Sequence, residues 1–391
     1  MKSVARKYLA SRAMASGLAL ILSILYSLEL GPQNRGFITV IMTFSILTIV
    51  TLMGGTTLTA RKIGSAHFSS ELRDSYRTLI AVEIFVGLIV FMILIASYST
   101  FKQSIPGPLI LVSTIYLVSS SYHFAMIEWK IAQKKLTTAG AAEVITILIQ
   151  IVSFFILLRI KLFSAAVNVL IAFAFAYFVV GIWCNFDRDS NKKSVNLISS
   201  PRMFFAKTRG HHSLGVIMNL LDRSDRIVIS LLYPTAILAK YAAMGGVLTF
   251  LRFVPDALSK ISVAGKGILP KIFKDRRKQS IFILIISISV FLIFARKFIE
   301  FSLGSNWLLP ITTFAAFCLY ELSRGTFQVY ANKTIQQGSE MLSQRSVINV
   351  LIVFVFILPP FVFLFDLSGV PLSLAFAYLF GISILMRSKH G

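Results

Sequence analysis

Long apolar runs recur along the whole chain at the length of a membrane-spanning helix. About 20 mostly apolar residues cross the hydrocarbon core of a bilayer as an α-helix. Such runs predict twelve spans, at residues 13–31, 36–60, 78–98, 108–127, 139–158, 163–183, 214–233, 239–259, 280–296, 306–326, 345–364 and 369–386. The pattern therefore predicts an all-α polytopic membrane protein with about twelve transmembrane helices.

The predicted span at residues 214–233 carries charge in its middle. Asp222, Arg223, Asp225 and Arg226 lie between its apolar ends. Each such charge costs roughly 2.5–3.5 kcal/mol at the centre of a spanning helix, so these four side chains cannot face lipid. Polar residues recur at steps of three and four and so share one face of the helix. They are Asn219, Asp222, Arg226, Ser230 and Tyr233.

Composition agrees with a membrane protein and excludes several other classes. The chain is 56% hydrophobic with a mean hydropathy of +0.79, whereas globular chains are about 45–50% apolar. Two distant cysteines, Cys184 and Cys318, give neither a disulfide framework nor a metal site. The chain has no GxxxxGK[ST] loop for ATP.

Basic residues are unevenly distributed between the predicted loops. The chain has 39 Lys and Arg and a formal net charge of +23. With the N-terminus in the cytoplasm, only seven of the 39 lie in the predicted outer segments, as the positive-inside rule expects. The charge therefore indicates topology and not nucleic-acid binding. The densest basic cluster is expected to contact anionic membrane lipids and comprises Lys266, Lys271, Lys274, Arg276, Arg277 and Lys278.

The longest connection, at about 184–213, divides the predicted spans into six and six. An even number of spans in each half inserts both halves in the same direction, as in a parallel repeat. We therefore expect an N-terminal six-helix half at 1–190, a cytoplasmic connection at 191–213 and a C-terminal six-helix half at 214–391, around a central cavity.

Two stretches resemble oligosaccharide flippases of the multidrug/oligosaccharidyl-lipid/polysaccharide exporter superfamily, including O-antigen flippases. Residues 27–55 resemble the turn between the family's first two helices, and residues 219–273 resemble its helices seven and eight. The matching residues are Leu30, Gly31, Pro32, Arg35 and Gly36 in the first stretch, and Asp225, Tyr241, Ala242, Pro255 and Pro270 in the second.

This resemblance implies a transporter and not an enzyme. The expected activity is movement of an undecaprenyl-diphosphate-linked oligosaccharide from the cytoplasmic to the outer leaflet by alternating access, for surface polysaccharide biosynthesis. The expected location is the bacterial cytoplasmic (inner) membrane, with both termini cytoplasmic. Expected partners are the lipid-linked oligosaccharide, membrane lipids and other polysaccharide-assembly membrane proteins. No cofactor is expected beyond a coupling ion, H⁺ or Na⁺.

A diphosphate that crosses the membrane requires cations in a hydrated cavity, and arginine binds phosphate through its planar fork. The candidate binding residues are the arginines in or beside the spans, namely Arg223, Arg226, Arg252, Arg12 and Arg61. Ion pairs of Asp222 with Arg226 and of Arg252 with Asp256 are the alternative, as is cytoplasmic snorkelling of Arg12 and Arg61. Asp222 and Asp225 are candidate coupling groups. Glu321 is expected near a span end, in interfacial water, and Arg324 is its expected partner.

Two other functions stay open. A drug/cation antiporter of the same superfamily would favour isolated acids in the N-terminal half, where Glu29, Glu83 and Glu143 are expected near span ends, in interfacial water. A membrane glycosyltransferase or polysaccharide polymerase usually needs acidic residues in a sizeable outer loop. The predicted outer segments 99–107 and 296–305 are short and hold one acid, Glu300.

Overall fold

The structure of the protein is a computed structural model. It describes residues 2–64, 70–161, 163–186, 201–248, 294–336 and 340–387. Arg252, Asp256 and the basic cluster at 266–278 lie outside these ranges, so their predicted roles are not addressed by the structure. Pro255 and Pro270 of the family resemblance also lie outside them.

The described residues form α-helices and short 3₁₀ turns, with no strand among them. The helices are α1 (Lys2–Gly64), α2 (Ser70–Phe101), α3 (Gly107–Ala132), α4 (Leu136–Ile160), α5 (Ala165–Phe186), α6 (Pro201–Leu232), α7 (Thr235–Leu248), α8 (294–303), α9 (Ile311–Gln336), α10 (Glu340–Phe365) and α11 (Gly369–Arg387). The all-α architecture predicted from the sequence is confirmed.

Six helical stretches within the described ranges are long and apolar enough to cross a membrane. Two of them, Ala10–Arg61 and Met341–Met386, are each long enough for two spans. Together the six stretches cover the first six and the last two predicted spans, apart from residues 163 and 164 of the sixth. The protein is therefore a multi-pass membrane protein.

Helix α1 contains two predicted spans and bends between them. Gly31 is its non-helical residue, with φ 65° and ψ 172°, and Pro32 follows directly. A positive φ with this ψ is accessible almost only to glycine, and proline is favoured at the first position of a helix. The predicted outer connection at 32–35 is therefore replaced by a kink. Arg35 belongs to the first turn of the second limb.

The chain divides into two compact units, Met1–Ile227 and Val228–Gly391. In the first unit α3 packs on α5, and α1 packs on α4. Small residues allow this close approach: a Cβ atom at Gly181 would lie 2.7 Å from the ring of Tyr122, and one at Gly140 would lie 2.9 Å from Ser11. The division at 1–190, 191–213 and 214–391 stays a prediction.

The described part of the second unit comprises the last residues of α6 and the helices α7 to α11, with α11 packed on both α9 and α10. A Cβ atom at Gly381 would lie 2.4 Å from Val350 and 2.8 Å from Phe327. The absence of a side chain at Gly381 therefore allows α11 to approach α10 closely. Buried aromatic rings fill the centre of this unit. They are Tyr241, Phe317, Tyr320, Phe327 and Tyr378.

Candidate functional site

Arg35 is buried in the first unit, although the sequence predicts it in an outer connection. Its side chain is 4% exposed. The guanidinium carbon lies 3.9 Å from the centre of the Tyr26 ring, and Nη2 donates to the Ser23 hydroxyl at 3.3 Å. Within the described ranges no carboxylate forms an ion pair with Arg35. The kink at Gly31 brings Tyr26 and Arg35, from opposite limbs of α1, into contact.

The part of the α6 polar stripe that belongs to the first unit, Asn219, Asp222 and Arg226, is partly buried. The charge of Arg226 is close enough to that of Arg35 for the two to repel each other. Asn219 donates from Nδ2 to the backbone oxygen of Val50, on the second limb of α1, at 3.4 Å. Asp225 is buried, whereas Asp222 and Arg223 are partly buried. The four mid-span charges are therefore covered by protein to different degrees, as their cost in lipid requires.

Aromatic and amide side chains lie beside these arginines. The hydroxyl groups of Tyr116 and Tyr177 are within hydrogen-bonding reach of each other, and Gln150 also hydrogen-bonds Tyr177. Arg223 lies close enough to Tyr116 to act on it electrostatically. The ring of Tyr116 is buried. The unit thus combines cations with tyrosines in its interior.

A buried imidazole extends this polar interior. His123 Nε2 lies 2.8 Å from the Thr146 hydroxyl, and its ring centre lies 4.8 Å from that of Tyr177. Thr146 also donates to the backbone oxygen of Ala142 at 2.8 Å. In this arrangement the hydroxyl donates along its own helix, so the imidazole nitrogen is satisfied as a donor to the threonine oxygen.

Arg12 and Arg61 are paired with acids on neighbouring helices. Arg12 Nη1 lies 2.6 Å from Glu143 Oε2 on α4. Arg61 pairs with Glu128 on α3 through both Nε and Nη2. Glu128 is 3% exposed in its side chain and Arg61 19%. These two arginines therefore link α1 to α3 and α4.

Glu83 on α2 is a buried acid that the sequence assigns to interfacial water. Its side chain is 9% exposed, and Oε1 accepts a hydrogen bond from the Thr56 hydroxyl at 2.5 Å. Glu143 is also mostly covered, so the expectation of exposed acids is wrong for both residues. Glu29 alone of the three is exposed.

In the second unit, Glu321 and Arg324 pair at 3.7 Å and are both almost fully buried. This pairing on α9 is confirmed, whereas the expectation of interfacial water is wrong for Glu321. Near the end of α6, Tyr233 donates from its hydroxyl to Asp366 Oδ1 at 2.7 Å. Tyr233, the last residue of the predicted polar stripe, therefore has a partner far along the chain, which the helical spacing does not reveal.

The structure brings part of the predicted binding set together and separates the rest. Arg223 and Arg226 lie with Arg35 and the tyrosines, whereas Arg12 and Arg61 are engaged in ion pairs. The sequence contained one signal for Arg35, its place in the turn that resembles the flippase family. Glu128 gave no such signal, because α3 continues five residues beyond the predicted span that ends at residue 127.

The described helices form a bundle that crosses the membrane several times and encloses charged residues, so the chain is a polytopic helical membrane protein. Solved structures agree. A transporter of the MOP (multidrug/oligosaccharidyl-lipid/polysaccharide) superfamily from Pyrococcus furiosus matches over 100% of this chain and 95% of its own, with a TM-score of 0.69 and 11% identity. For that transporter, the reverse polarity of the binding pocket suggests a different function.

Two further structures have the same fold. The MATE multidrug transporter DinF-BH, in complex with R6G, matches over 100% of this chain and 94% of its own, with a TM-score of 0.69 and 14% identity. The lipid II flippase MurJ, in an inward closed conformation, matches over 98% and 87%, with a TM-score of 0.64 and 14% identity. No protein-family model and no curated protein sequence matches the chain.

These likenesses, at 11–14% identity, concern the fold. The chain has the helical-bundle fold of the MOP superfamily transporters. The resemblance drawn from residues 27–55 and 219–273 is thereby confirmed at the level of superfamily fold. The narrower assignment, an oligosaccharide flippase, stays a prediction.

Proposed function

We propose that the protein is a flippase that moves a lipid-linked oligosaccharide, carried on undecaprenyl diphosphate, from the cytoplasmic to the outer leaflet by alternating access. The observation that carries this proposal is the buried guanidinium of Arg35, which has no carboxylate partner in the described ranges and lies near Arg226. A dianionic headgroup between the two would relieve their repulsion.

The charge of Arg35 is not compensated by a carboxylate within the described ranges. A buried cation loses its hydration, and a second cation nearby adds repulsion that a low-dielectric interior strengthens. Such an arrangement lowers stability and favours binding of an anion. Arginine also binds phosphate in a bidentate manner, and the Tyr26 ring beneath Arg35 fixes the plane of its guanidinium.

The neighbouring tyrosines suit the sugar part of the same substrate. Aromatic rings offer apolar faces, and the hydroxyl groups of Tyr116 and Tyr177 with the amide of Gln150 supply hydrogen bonds. We assign the diphosphate to Arg35, Arg223 and Arg226 and the first sugars to the tyrosines. Arg12 and Arg61 hold the helices around this site, and Asp222 and Asp225 remain proposed coupling groups.

The proposal places the protein in the bacterial cytoplasmic membrane, where it supplies polysaccharide-assembly membrane proteins with substrate, as in O-antigen synthesis. The test is a deletion strain complemented with Arg35→Ala or Arg226→Ala. A charge-assisted hydrogen bond is worth about 1.5–3 kcal/mol, so each variant should reduce glycan export about ten- to a hundredfold. The measurement is surface polysaccharide and lipid-linked oligosaccharide on each leaflet.

Lys102→Ala is the matched control, because Lys102 is an exposed cation in the turn between α2 and α3 and should leave export unchanged. Arg35→Lys retains the charge and loses the planar contact with Tyr26, so it should retain part of the activity. Normal export by both alanine variants, with normal membrane levels, would show that the cationic site does not carry the substrate.

A drug/cation antiporter is the second candidate, and one observation favours it. Glu83 provides the N-terminal unit with a buried acid, which the sequence had placed near water. The same strains therefore need a dye-resistance measurement. Loss of resistance to cationic dyes on deletion, together with normal glycan export, would favour the antiporter and exclude the flippase.

A further inference from the structure

A cavity of about 480 Å³ lies in the first unit, between the first limb of α1, the end of α4 and the start of α5. Small-molecule sites typically enclose about 300–1,000 Å³. Neither Arg35 nor Arg226 lines this cavity, so it is separate from the proposed substrate site. The lining residues that matter here are Glu29, Phe155, Arg159, Lys161, Phe163 and Asn168.

Three charged side chains line the cavity, and none of them forms an ion pair within the described ranges. They are the carboxylate of Glu29 and the cations of Arg159 and Lys161, all exposed. Only seven of the 39 basic residues lie in the predicted outer segments, and these two cations are among the seven. Two cations and one separate acid are complementary to a ligand that carries both an anionic and a cationic group.

Asn168 on α5 gives the cavity a fixed polar wall. Its side chain is 2% exposed. Nδ2 donates to the backbone oxygen of Phe163 at 3.1 Å and to that of Leu157 at 3.4 Å, which ties the end of α4 to the turn before α5. Oδ1 is buried and accepts no hydrogen bond from the described residues. Because an unsatisfied acceptor is costly away from water, a ligand that brings an N–H donor into the cavity stabilises this wall.

Apolar side chains continue from the cavity onto the surface of α4. Phe155 and Phe163 line the cavity and are exposed, and Ile156 and Ile160 on α4 are exposed beside them. The helix Leu136–Ile160 is long and apolar enough to cross the membrane, and the cavity lies at its end. A ligand held here therefore has its polar part at the depth of the lipid headgroups and its apolar part beside a spanning helix.

We propose that this cavity binds the headgroup of a phosphatidylethanolamine lipid. The phosphate pairs with Arg159 and Lys161, the ammonium donates to Glu29 with Asn168 Oδ1 as a further acceptor, and an acyl chain lies against Phe155. Phosphatidylcholine has no N–H donor and phosphatidylglycerol has no cation, so each of them leaves part of the site unsatisfied. The bound lipid links α1, close to its kink, to the end of α4. This inference does not depend on the transported substrate.

The first test measures lipid selectivity. The full-length protein is freed of lipid in detergent and titrated with dioleoyl phosphatidylethanolamine, phosphatidylcholine or phosphatidylglycerol, and native mass spectrometry measures the bound lipid. The Kd for phosphatidylethanolamine should be about fivefold lower than for the other two, the worth of one exposed ionic contact. Soluble phosphoethanolamine should not bind at the same concentrations, because it has no acyl chains. Equal affinity for the three lipids would overturn the proposal.

The second test locates the site. Arg159→Gln combined with Lys161→Asn removes both cations, and asparagine tolerates the left-handed backbone of residue 161, where φ is 55°. Each exposed cation contributes up to about fivefold in affinity, so the double variant should bind phosphatidylethanolamine about twenty-fivefold more weakly. Lys102→Ala removes an exposed cation from the turn between α2 and α3 and should bind as the wild type does. Undiminished binding by the double variant would place the lipid elsewhere and reject this site.

Glu29→Gln tests the contact with the ammonium. Without the carboxylate, affinity for phosphatidylethanolamine should fall and affinity for phosphatidylglycerol should rise, so the preference between the two should disappear. In lipid-free detergent these variants should unfold at the wild-type midpoint, because the substituted side chains are exposed. Added phosphatidylethanolamine should raise the midpoint of the wild type more than that of the variants. A Glu29→Gln protein with the wild-type preference would contradict the proposed site.

Discussion

Individual charged residues in this protein fall into two groups that their immediate sequence does not distinguish. Arg12 and Arg61 have acidic partners on other helices. Arg35 has an aromatic ring and a hydroxyl group. In a bilayer interior a paired charge holds helices together, whereas an arginine that lacks a carboxylate partner is available to an anionic ligand. The partner, and not the depth of the residue, indicates the role.

The pair of Arg61 with Glu128 should contribute to stability. Removing one partner of a buried ion pair leaves the other charge uncompensated, at a cost of about 3–5 kcal/mol. Glu128→Gln should approach the lower end of this range, because Arg61 is 19% exposed. The measurement is the thermal unfolding midpoint in detergent.

The controls use the same chain. Glu29→Gln removes an exposed carboxylate and should leave the midpoint unchanged. The double variant Arg61→Leu with Glu128→Leu should recover part of the loss, because it leaves no unpaired charge. A midpoint for Glu128→Gln equal to that of the wild type would contradict a structural role for the pair.

The sequence predicted some of these residues and missed others for a physical reason. Charge in the middle of α6 is visible in a linear pattern because hydrocarbon tolerates so little of it. The partner of Arg61 is 67 positions away along the chain, so no local periodicity reveals it. The burial of Arg35 depends on the kink at Gly31, and a hydropathy run simply ends there and begins again at residue 36.

At the scale of elements, α1 is the helix on which the site depends. Its first limb carries Arg12 and Tyr26, and its second carries Arg35 and Thr56. The backbone at Gly31, with φ 65°, sets the angle between them. A β-carbon at this residue would have no atom within 4 Å, so a substitution here affects stability through backbone strain and not through a clash.

Gly31→Ala should therefore destabilise the protein by about 1–3 kcal/mol, the cost of a non-glycine residue in this region of φ and ψ. Gly17→Ala is the matched variant in the same helix. It also has open space around its β-carbon, but its backbone is helical, so it should stabilise the helix by about 0.5–1 kcal/mol. Thermal unfolding of both variants gives the comparison. Equal midpoints for the two would show that the kink does not constrain residue 31.

At the scale of the whole molecule, hydropathy predicted best the helices that must present apolar side chains to lipid. The predicted spans at 78–98, 108–127 and 139–158 lie within α2, α3 and α4. Exposed apolar side chains such as Phe85 and Ile93 on α2 suit contact with lipid tails. The orientation in the membrane follows from the positive-inside rule and remains a prediction.

Single-cysteine labelling should establish that orientation. The native Cys184 and Cys318 are buried and free, so they should react little with a maleimide that does not cross membranes. Lys102→Cys, between α2 and α3, should react in intact cells. Thr137→Cys, at the start of α4, should react only after permeabilisation. Both positions are exposed, and labelling of Thr137→Cys from outside would invert the predicted topology.

The stacking of Trp129 on Tyr76 has an optical consequence. The chain has three tryptophans, and Trp129 is buried with its ring centre 4.8 Å from that of Tyr76. Trp129 follows Glu128 directly on α3, and Tyr76 lies on α2 with Glu83. The emission of Trp129 should therefore respond to the spacing between α2 and α3. The protein therefore contains a native fluorophore, Trp129, with which a change in the spacing of α2 and α3 can be followed without an attached dye.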